Sequence, residues 1–432
     1  MRKTLFSAAA LGVLFYVAGC GHHSQKVQTT DDAARFSKES ANLQNKIRKN
    51  PVDARLRVQL GMLFLRAEQY NAALTHFDTA LTLQPEMPAA KFGRAEANFL
   101  TGKIQTGLKE YLAVLNFPEA DQFTAAIGER VGAPFAIRPI TFSPGENMMA
   151  RFSADGRFIV FQSNRDGNWE IYRALPDGAQ PFRLTNDPAV DESPSFAPDG
   201  HTVVFARAQS KNARDIYLLD IPAIENAICI SRHAADDWNP IFSPKGEYLA
   251  FVSDRANTPA TATPERQSDI FLFSLADSSL KKFSQGFGNK SAPCFTPDGA
   301  AVIYVNNVNG VFDIFEQNIG DDRTHALVTK NGSKGGPQVS PDGKSIVYFE
   351  KRDQNLDLFL FGRESNRTQR LTVTSSVDAF PVFSPDGNEI FFTSNRDGGY
   401  QVYAMNLRVP IARTDLISTL TDLLEQQKLS SH

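Results

Sequence analysis

From about residue 147 to residue 406 the chain repeats one pattern of apolar and polar positions. A short apolar run such as Pro194-Ser-Phe196 or Pro381-Val-Phe383 leads into an Asp-Gly pair. A second run follows, alternating or apolar throughout, as in Thr202-Val-Val-Phe-Ala206 and Glu389-Ile-Phe-Phe-Thr393. A third opens on a polar residue and two apolar ones: Glu170-Ile-Tyr172, Asp215-Ile-Tyr217, Asp269-Ile-Phe271, Asp313-Ile-Phe315, Asp357-Leu-Phe359 and Gln401-Val-Tyr403. Asp-Gly between such runs predicts a tight hairpin, because the turn needs positive φ and glycine has no Cβ to clash. The turns read Ser153-Ala-Asp-Gly156, Ala197-Pro-Asp-Gly200, Ser243-Pro-Lys-Gly246, Thr296-Pro-Asp-Gly299, Ser340-Pro-Asp-Gly343 and Ser384-Pro-Asp-Gly387, and their glycines lie 44, 46, 53, 44 and 44 residues apart. With a weaker fourth run, as in Phe182-Arg-Leu-Thr185, Lys282-Phe-Ser284 and Arg370-Leu-Thr372, each unit has the four strands and the period of a propeller blade. Six units predict an all-β, six-bladed propeller over residues 136–407.

The last unit has no fourth run after Asn406, while Ile137-Arg-Pro-Ile-Thr141 stands orphaned before the first. That N-terminal piece is expected to supply the outer strand of blade six and close the ring, leaving no sheet edge unpaired. Before the propeller the period changes. Leu60-Gly61, Phe64, Ala73, Phe77, Ala80 and Pro85 sit at tetratricopeptide offsets, and a shift of 34 gives a looser copy in Arg94-Ala95, Asn98, Gly107, Tyr111, Val114 and Glu119. Small residues at Gly61, Ala73 and Ala80 let helices approach, with Phe77 and Tyr111 filling between them. Two units are fewer than the usual three, so a capping helix over 122–131 and support from the propeller are expected. Such arrays bind partners; a plain spacer is the bland alternative. After the propeller, 414–427 reads as an amphipathic helix with Leu416, Leu420, Leu423 and Leu424 on one face. The fold expected is multidomain: an α-helical tetratricopeptide solenoid over 51–132, the propeller, and a C-terminal helix and tail over 408–432.

The propeller repeats resemble those of the TolB type, also found beside tricorn and prolyl-oligopeptidase-like peptidases. The most specific stretches are Phe161-Gln-Ser-Asn-Arg-Asp-Gly-Asn-Trp-Glu-Ile-Tyr172 and Phe392-Thr-Ser-Asn-Arg-Asp-Gly-Gly-Tyr-Gln-Val-Tyr403. The resemblance implies a periplasmic protein that binds envelope partners such as peptidoglycan-associated lipoprotein. Helical repeats in place of the N-terminal domain of TolB, and a lipidation signal, depart from that family.

That signal lies in residues 1–19. Met1-Arg-Lys is positive, and Leu5 to Val17 is apolar but too short to span a bilayer as a mature helix. It ends in Val17-Ala-Gly-Cys20, which resembles a bacterial lipoprotein signal with Cys20 as the acylated residue. An ordinary secretory signal with an incidental cysteine is the alternative. Gly21 in place of an aspartate implies, by the same resemblance, the outer membrane, facing the periplasm. Residues 20–50 read as a lipidated, flexible, polar tether with room for one solvated helix, in which His22 and His23 are a solvated pair.

Charge changes the picture little: 45 Lys and Arg against 48 Asp and Glu give −3, which indicates neither a nucleic-acid footprint nor a polybasic patch. Cys229, on an outer strand of blade two, and Cys294, on an inner strand of blade four, are expected too far apart to pair. No nucleophile elbow, zinc motif or phosphate loop occurs, and the seven histidines are scattered. No catalytic residue, metal or cofactor is assigned. The one metal candidate, Glu192, Asp237, Asn239 and Asp378 converging on the channel, would serve a lactonase-like hydrolase.

In a four-stranded meander the loop entering the inner strand and the loop joining strands two and three emerge on one face. Its mouth carries Glu192, Trp238, Lys290, Asp378 and Phe380, a mixture of aromatic anchors and both charges suited to a protein partner. Arg165, Arg207, Arg255, Arg352 and Arg396 share that face; the structural alternative pairs each with the acid opening the following strand, as Glu170 with Arg165. The expected function is a membrane-anchored scaffold that binds envelope proteins without chemistry, its membrane attachment through acylated Cys20. The alternatives are a small-ligand or carbohydrate binder at the channel, or the metal-dependent hydrolase.

Overall fold

Helical spacing before residue 132 becomes helix. The computed structural model describes residues 30–210, 213–221, 227–256, 267–321, 323–329, 332–352 and 355–429; the leader and Cys20 lie outside them. The helices are α1 (Thr30–Lys49), α2 (Ala54–Arg66), α3 (Tyr70–Leu83), α4 (Pro88–Leu100), α5 (Ile104–Leu115) and α6 (Asp121–Val131). Asp53 caps α2 by accepting from the amides of Arg55 and Leu56, and Gly132, at φ 86°, ends α6 in the left-handed conformation that lacks a Cβ penalty. Phe77 is fully buried between α2 and α4, where a Cβ on Gly61 would come to 2.7 Å from its ring and one on Gly93 to 2.3 Å. Two glycines thus make the slot for one ring. Deeper in the array Tyr111 donates to Glu96 (2.5 Å), whose other oxygen accepts from Arg130 Nε (2.9 Å), so the buried carboxylate has partners on both sides.

The β-patterned region forms six four-stranded antiparallel sheets. Five are consecutive meanders. The sixth contains the inner strand Asp378–Phe383, then Glu389–Ser394, Gln401–Pro410 and, as outer strand, Phe135–Pro139. The closing strand is therefore the expected one, beginning two residues earlier; Ile137 lies opposite Met405, and Arg138 Nη2 reaches Glu389 at 3.1 Å. Closure follows from the unmet backbone groups of two otherwise open edges.

Each Asp-Gly turn works as its sequence implies. Gly156 sits at φ 71°, Ser153 Oγ donates to Asp155 Oδ1 (2.6 Å), and Asp155 Oδ1 in turn accepts from the amide of Arg157 (3.0 Å). These hydrogen bonds hold the Asp155 carboxyl below its ordinary pKa, the serine contributing most. The hydrophobic core is divided among six clusters, one at each junction of neighbouring blades, including that between blades six and one (Phe161, Tyr172, Phe391, Val402).

The last strand of the propeller runs into α7 (Arg413–Leu429), where Leu416 and Leu420 are fully buried with Tyr111, Phe123 and Ile127 of α5 and α6. The expected amphipathic helix thus completes the core of the helical region, and both ends of the propeller enter that region. Among the described residues no helix is long and apolar enough to cross a membrane.

Candidate ligand-binding channel and its mouth

All six inner strands carry a bulge at one equivalent position, and its residue has positive φ: Met149 (57°), Ser193 (57°), Asn239 (49°), Ala292 (49°), Gly336 (52°) and Phe380 (52°). Five of these are not glycine, and the left-handed region disfavours every residue with a Cβ. In five blades the next residue is proline, which has no amide to donate to the broken ladder. Neighbouring blades pin the bulge: the Met149 amide donates to Thr393 Oγ1 (3.1 Å) and that of Ser193 to Gln162 Oε1 (2.9 Å). A bulge re-aims its side chain, and here all six bulge residues line one central cavity of about 480 Å³. Residues 335 and 336 are both glycine for a steric reason, since a Cβ on Gly335 would come to 2.1 Å from the Phe349 ring. Phe349 in turn meets Phe380 edge to face at 5.6 Å, making an aromatic wall.

Two positions before each bulge is a buried polar residue: Asn147, Asp191, Asp237, Lys290, Lys334 and Asp378. Asp191 accepts two hydrogen bonds from Arg207 (both 2.7 Å), Asp237 pairs with Arg255 (2.5 Å) and Asp378 with Arg396 (2.9 Å). Burial raises the carboxyl pKa of Asp191 and Asp237, against the pull of their arginines. Lys290 and Lys334 reach instead to the preceding blade, to Asp269 (3.2 Å) and Asp313 (3.0 Å). The ring is a set of ties within and between blades.

Residues 317–414, which include blade five and three of the four strands of blade six, match the family model described as the TolB β-propeller domain. The chain is 27% identical over 177 residues to a TolB homolog of Chlorobium luteolum, covering 41% of this chain and 38% of that protein. It is 24% identical over 156 residues to the Tol-Pal system protein TolB of Francisella tularensis, covering 36% and 34%. The propeller is TolB-like. The match spans little more than a third of the length of these relatives. Among solved structures, TolB from Acinetobacter baumannii aligns with a TM-score of 0.46 at 18% identity, over 71% of each chain.

On this TolB-like propeller the five residues expected at the mouth divide. Phe380 lines the cavity. Lys290 and Asp378 are wholly buried in the ring of ties, and burial lowers the lysine's pKa against the pull of Asp269. Glu192 is bound by Arg214 (2.6 Å), and Trp238 lies under the same guanidinium, 5.0 Å from it. The arginine pairing anticipated from sequence is corrected: Glu170 bonds Arg183 (2.7 Å) of the outer strand, while Arg165 donates to Asn147 (2.6 Å). Most of these arginines reach back across the hairpin to the inner strand and also cover a ring of strand three, as Arg207 does Tyr217 at 5.0 Å. Glu192, Asp237, Asn239 and Asp378 do not gather: among the described residues no group of three His, Cys, Asp or Glu could hold a metal. Cys229 and Cys294 are both free. Sequence reasoning missed Phe142 and Phe287, which are 76% and 70% exposed in loops entering inner strands; two isolated phenylalanines in loops carry no periodic signal.

Proposed function

We propose that the chain is an envelope scaffold of the bacterial periplasm that binds protein partners through the propeller mouth, anchored to the outer membrane by acylated Cys20. The observation that carries this reading is the TolB-propeller match over residues 317–414, in a chain whose relatives are named for the Tol-Pal system. The helical region supports it. Its helices α2 and α4 begin at Ala54 and Pro88, and α3 and α5 at Tyr70 and Ile104, an offset of 34 in both pairs, which is the tetratricopeptide period. The rim that carries Glu192, Trp238, Lys290, Asp378 and Phe380 is the proposed binding face, with exposed Phe142 and Phe287 as its anchors. Truncating a buried interface anchor typically costs about 2 kcal/mol or more. A photoreactive residue placed at Trp238 in intact envelopes should give a defined crosslinked species, lost when Phe142 and Phe287 are both changed to alanine. A crosslink that survives that change but vanishes when 51–121 are deleted would transfer recognition to the helices. For the anchor, mass spectrometry of the mature N-terminus should find a lipidated Cys20. A second reading, a small ligand in the channel, is favoured by the cavity itself.

A further inference from the structure

Below the bulges the next residues facing inward include Arg151, Cys294 and Gln338. Arg151 lines the cavity. Its guanidinium has one hydrogen bond among the described residues, from Nη1 to the carbonyl of Ala150 (3.2 Å), and no carboxylate within ion-pair distance. Other arginines of the ring have an acid: Arg207, Arg255 and Arg396 sit 2.5–2.9 Å from theirs. The titratable group that acts on Arg151 is the Cys294 thiol, which donates to Gln338 Oε1 (3.5 Å), and burial has raised that thiol's pKa, so it supplies no negative charge. Burial also pulls the guanidinium's own pKa down. The guanidinium is half-buried where it lines the cavity, and among the described residues the fold supplies no anion to offset its partial desolvation.

The rest of the cavity has the same bias. None of its lining residues is aspartate or glutamate. Lys334 is neutralised by Asp313, whereas Lys351 is exposed at the rim. The walls are mostly apolar, through Met149, Ile241, Phe349, Leu356, Phe380 and the prolines following the bulges, and the polar lining residues Ser193 and Asn239 are uncharged. A cavity of about 480 Å³ lies within the usual size range for small-molecule sites, about 300–1,000 Å³.

We infer that the propeller channel binds a carboxylate carried on an apolar body, with the carboxylate on Arg151 and the body against Phe349 and Phe380. The planar guanidinium fork matches two carboxylate oxygens, which fixes orientation, and the aromatic wall supplies the buried area. Two sources share this chemistry, a free organic acid and the carboxy-terminus of a peptide. The inference is independent of the mouth-face reading, since the test contains no protein partner.

The test is calorimetric titration of the purified chain with 4-phenylbutyrate, 4-phenylbutyramide, N-acetyl-Leu-Phe and N-acetyl-Leu-Phe amide. At least one acid should bind saturably, and its amide at least ten-fold more weakly. Binding of the phenylbutyrate points to free acids, and binding of the dipeptide alone to peptide termini. Arg151→Met should weaken the acid at least ten-fold while the ligand-free melting temperature holds, because the half-buried guanidinium makes no ion pair that the fold would lose. Equal binding of acid and amide, no binding at millimolar concentration, or unchanged acid affinity in Arg151→Met would overturn the inference. So would a melting temperature lowered by several degrees in the ligand-free variant, which would make Arg151 structural.

Discussion

The residues that shape the channel are held in a backbone conformation they do not prefer. Ala292 is the simplest case, with φ at 49° and only a methyl group to lose. Ala292→Gly relieves that strain, and stability should rise by about 1 kcal/mol, since the left-handed region costs an L-residue about 1–2 kcal/mol. Gly335 has the opposite logic. Its conformation is unremarkable, but a Cβ there meets the Phe349 ring at 2.1 Å, so Gly335→Ala should destabilise by about 1–3 kcal/mol through overpacking. Urea denaturation of the two variants measures both, and a loss of stability in Ala292→Gly would refute the strain argument. That five blades keep a residue with a Cβ at this position indicates that the side chains aimed into the channel matter more than the strain.

Among the strands, Phe135–Pro139 has a task its five counterparts lack. An outer strand elsewhere shields one edge of one blade; this one joins the first part of the propeller to its last sheet. Ile137 packs in the cluster between blades five and six with Met405 and Tyr403. Ile137→Asp should therefore lower stability by about 2 kcal/mol or more and promote aggregation through the freed edge. Phe182, in the outer strand of blade one and 47% exposed, provides the control, and Phe182→Asp should melt close to the wild type. Equal melting of the two variants would mean that closure contributes no special stability.

At the level of the entire chain, α7 links two folding units. Its Leu416 and Leu420 complete a core built mainly from α4, α5 and α6, to which the propeller adds Val373, so the helical region is finished only after the propeller has been made. Ending the chain at residue 412 should raise hydrogen exchange across 88–131 and leave the propeller strands protected. Unchanged exchange in α4 to α6 would show that the array is self-sufficient. The arrangement also explains how so short a helical array stays folded beside a large β-domain.

Six turns and their flanking strands were legible in the sequence because each is decided locally: all six need only a glycine at positive φ, and four add a serine or threonine bonded to the aspartate two residues on. The closing strand was legible too, since backbone groups at an edge must be paired whatever the side chains. The helices of residues 54–131, with Phe77 filling beside Gly61, follow from size and spacing, whereas Gly93 as the other wall of that slot and the length of α1 emerged only in the structure. What lines the channel was not legible. Whether Lys290 and Asp378 face a mouth or lie buried in ties depends on a bulge two residues later, and a bulge shows in neither hydrophobic period nor charge. Likewise Arg207, Arg255 and Arg396 found acids on the inner strand and not on the strand ahead, because the antiparallel pairing of strands one and two sets those ends side by side. Arg151 stands out only when every neighbouring blade is in place, since its lack of a counter-ion is a property of what six strands from distant parts of the chain bring to one axis.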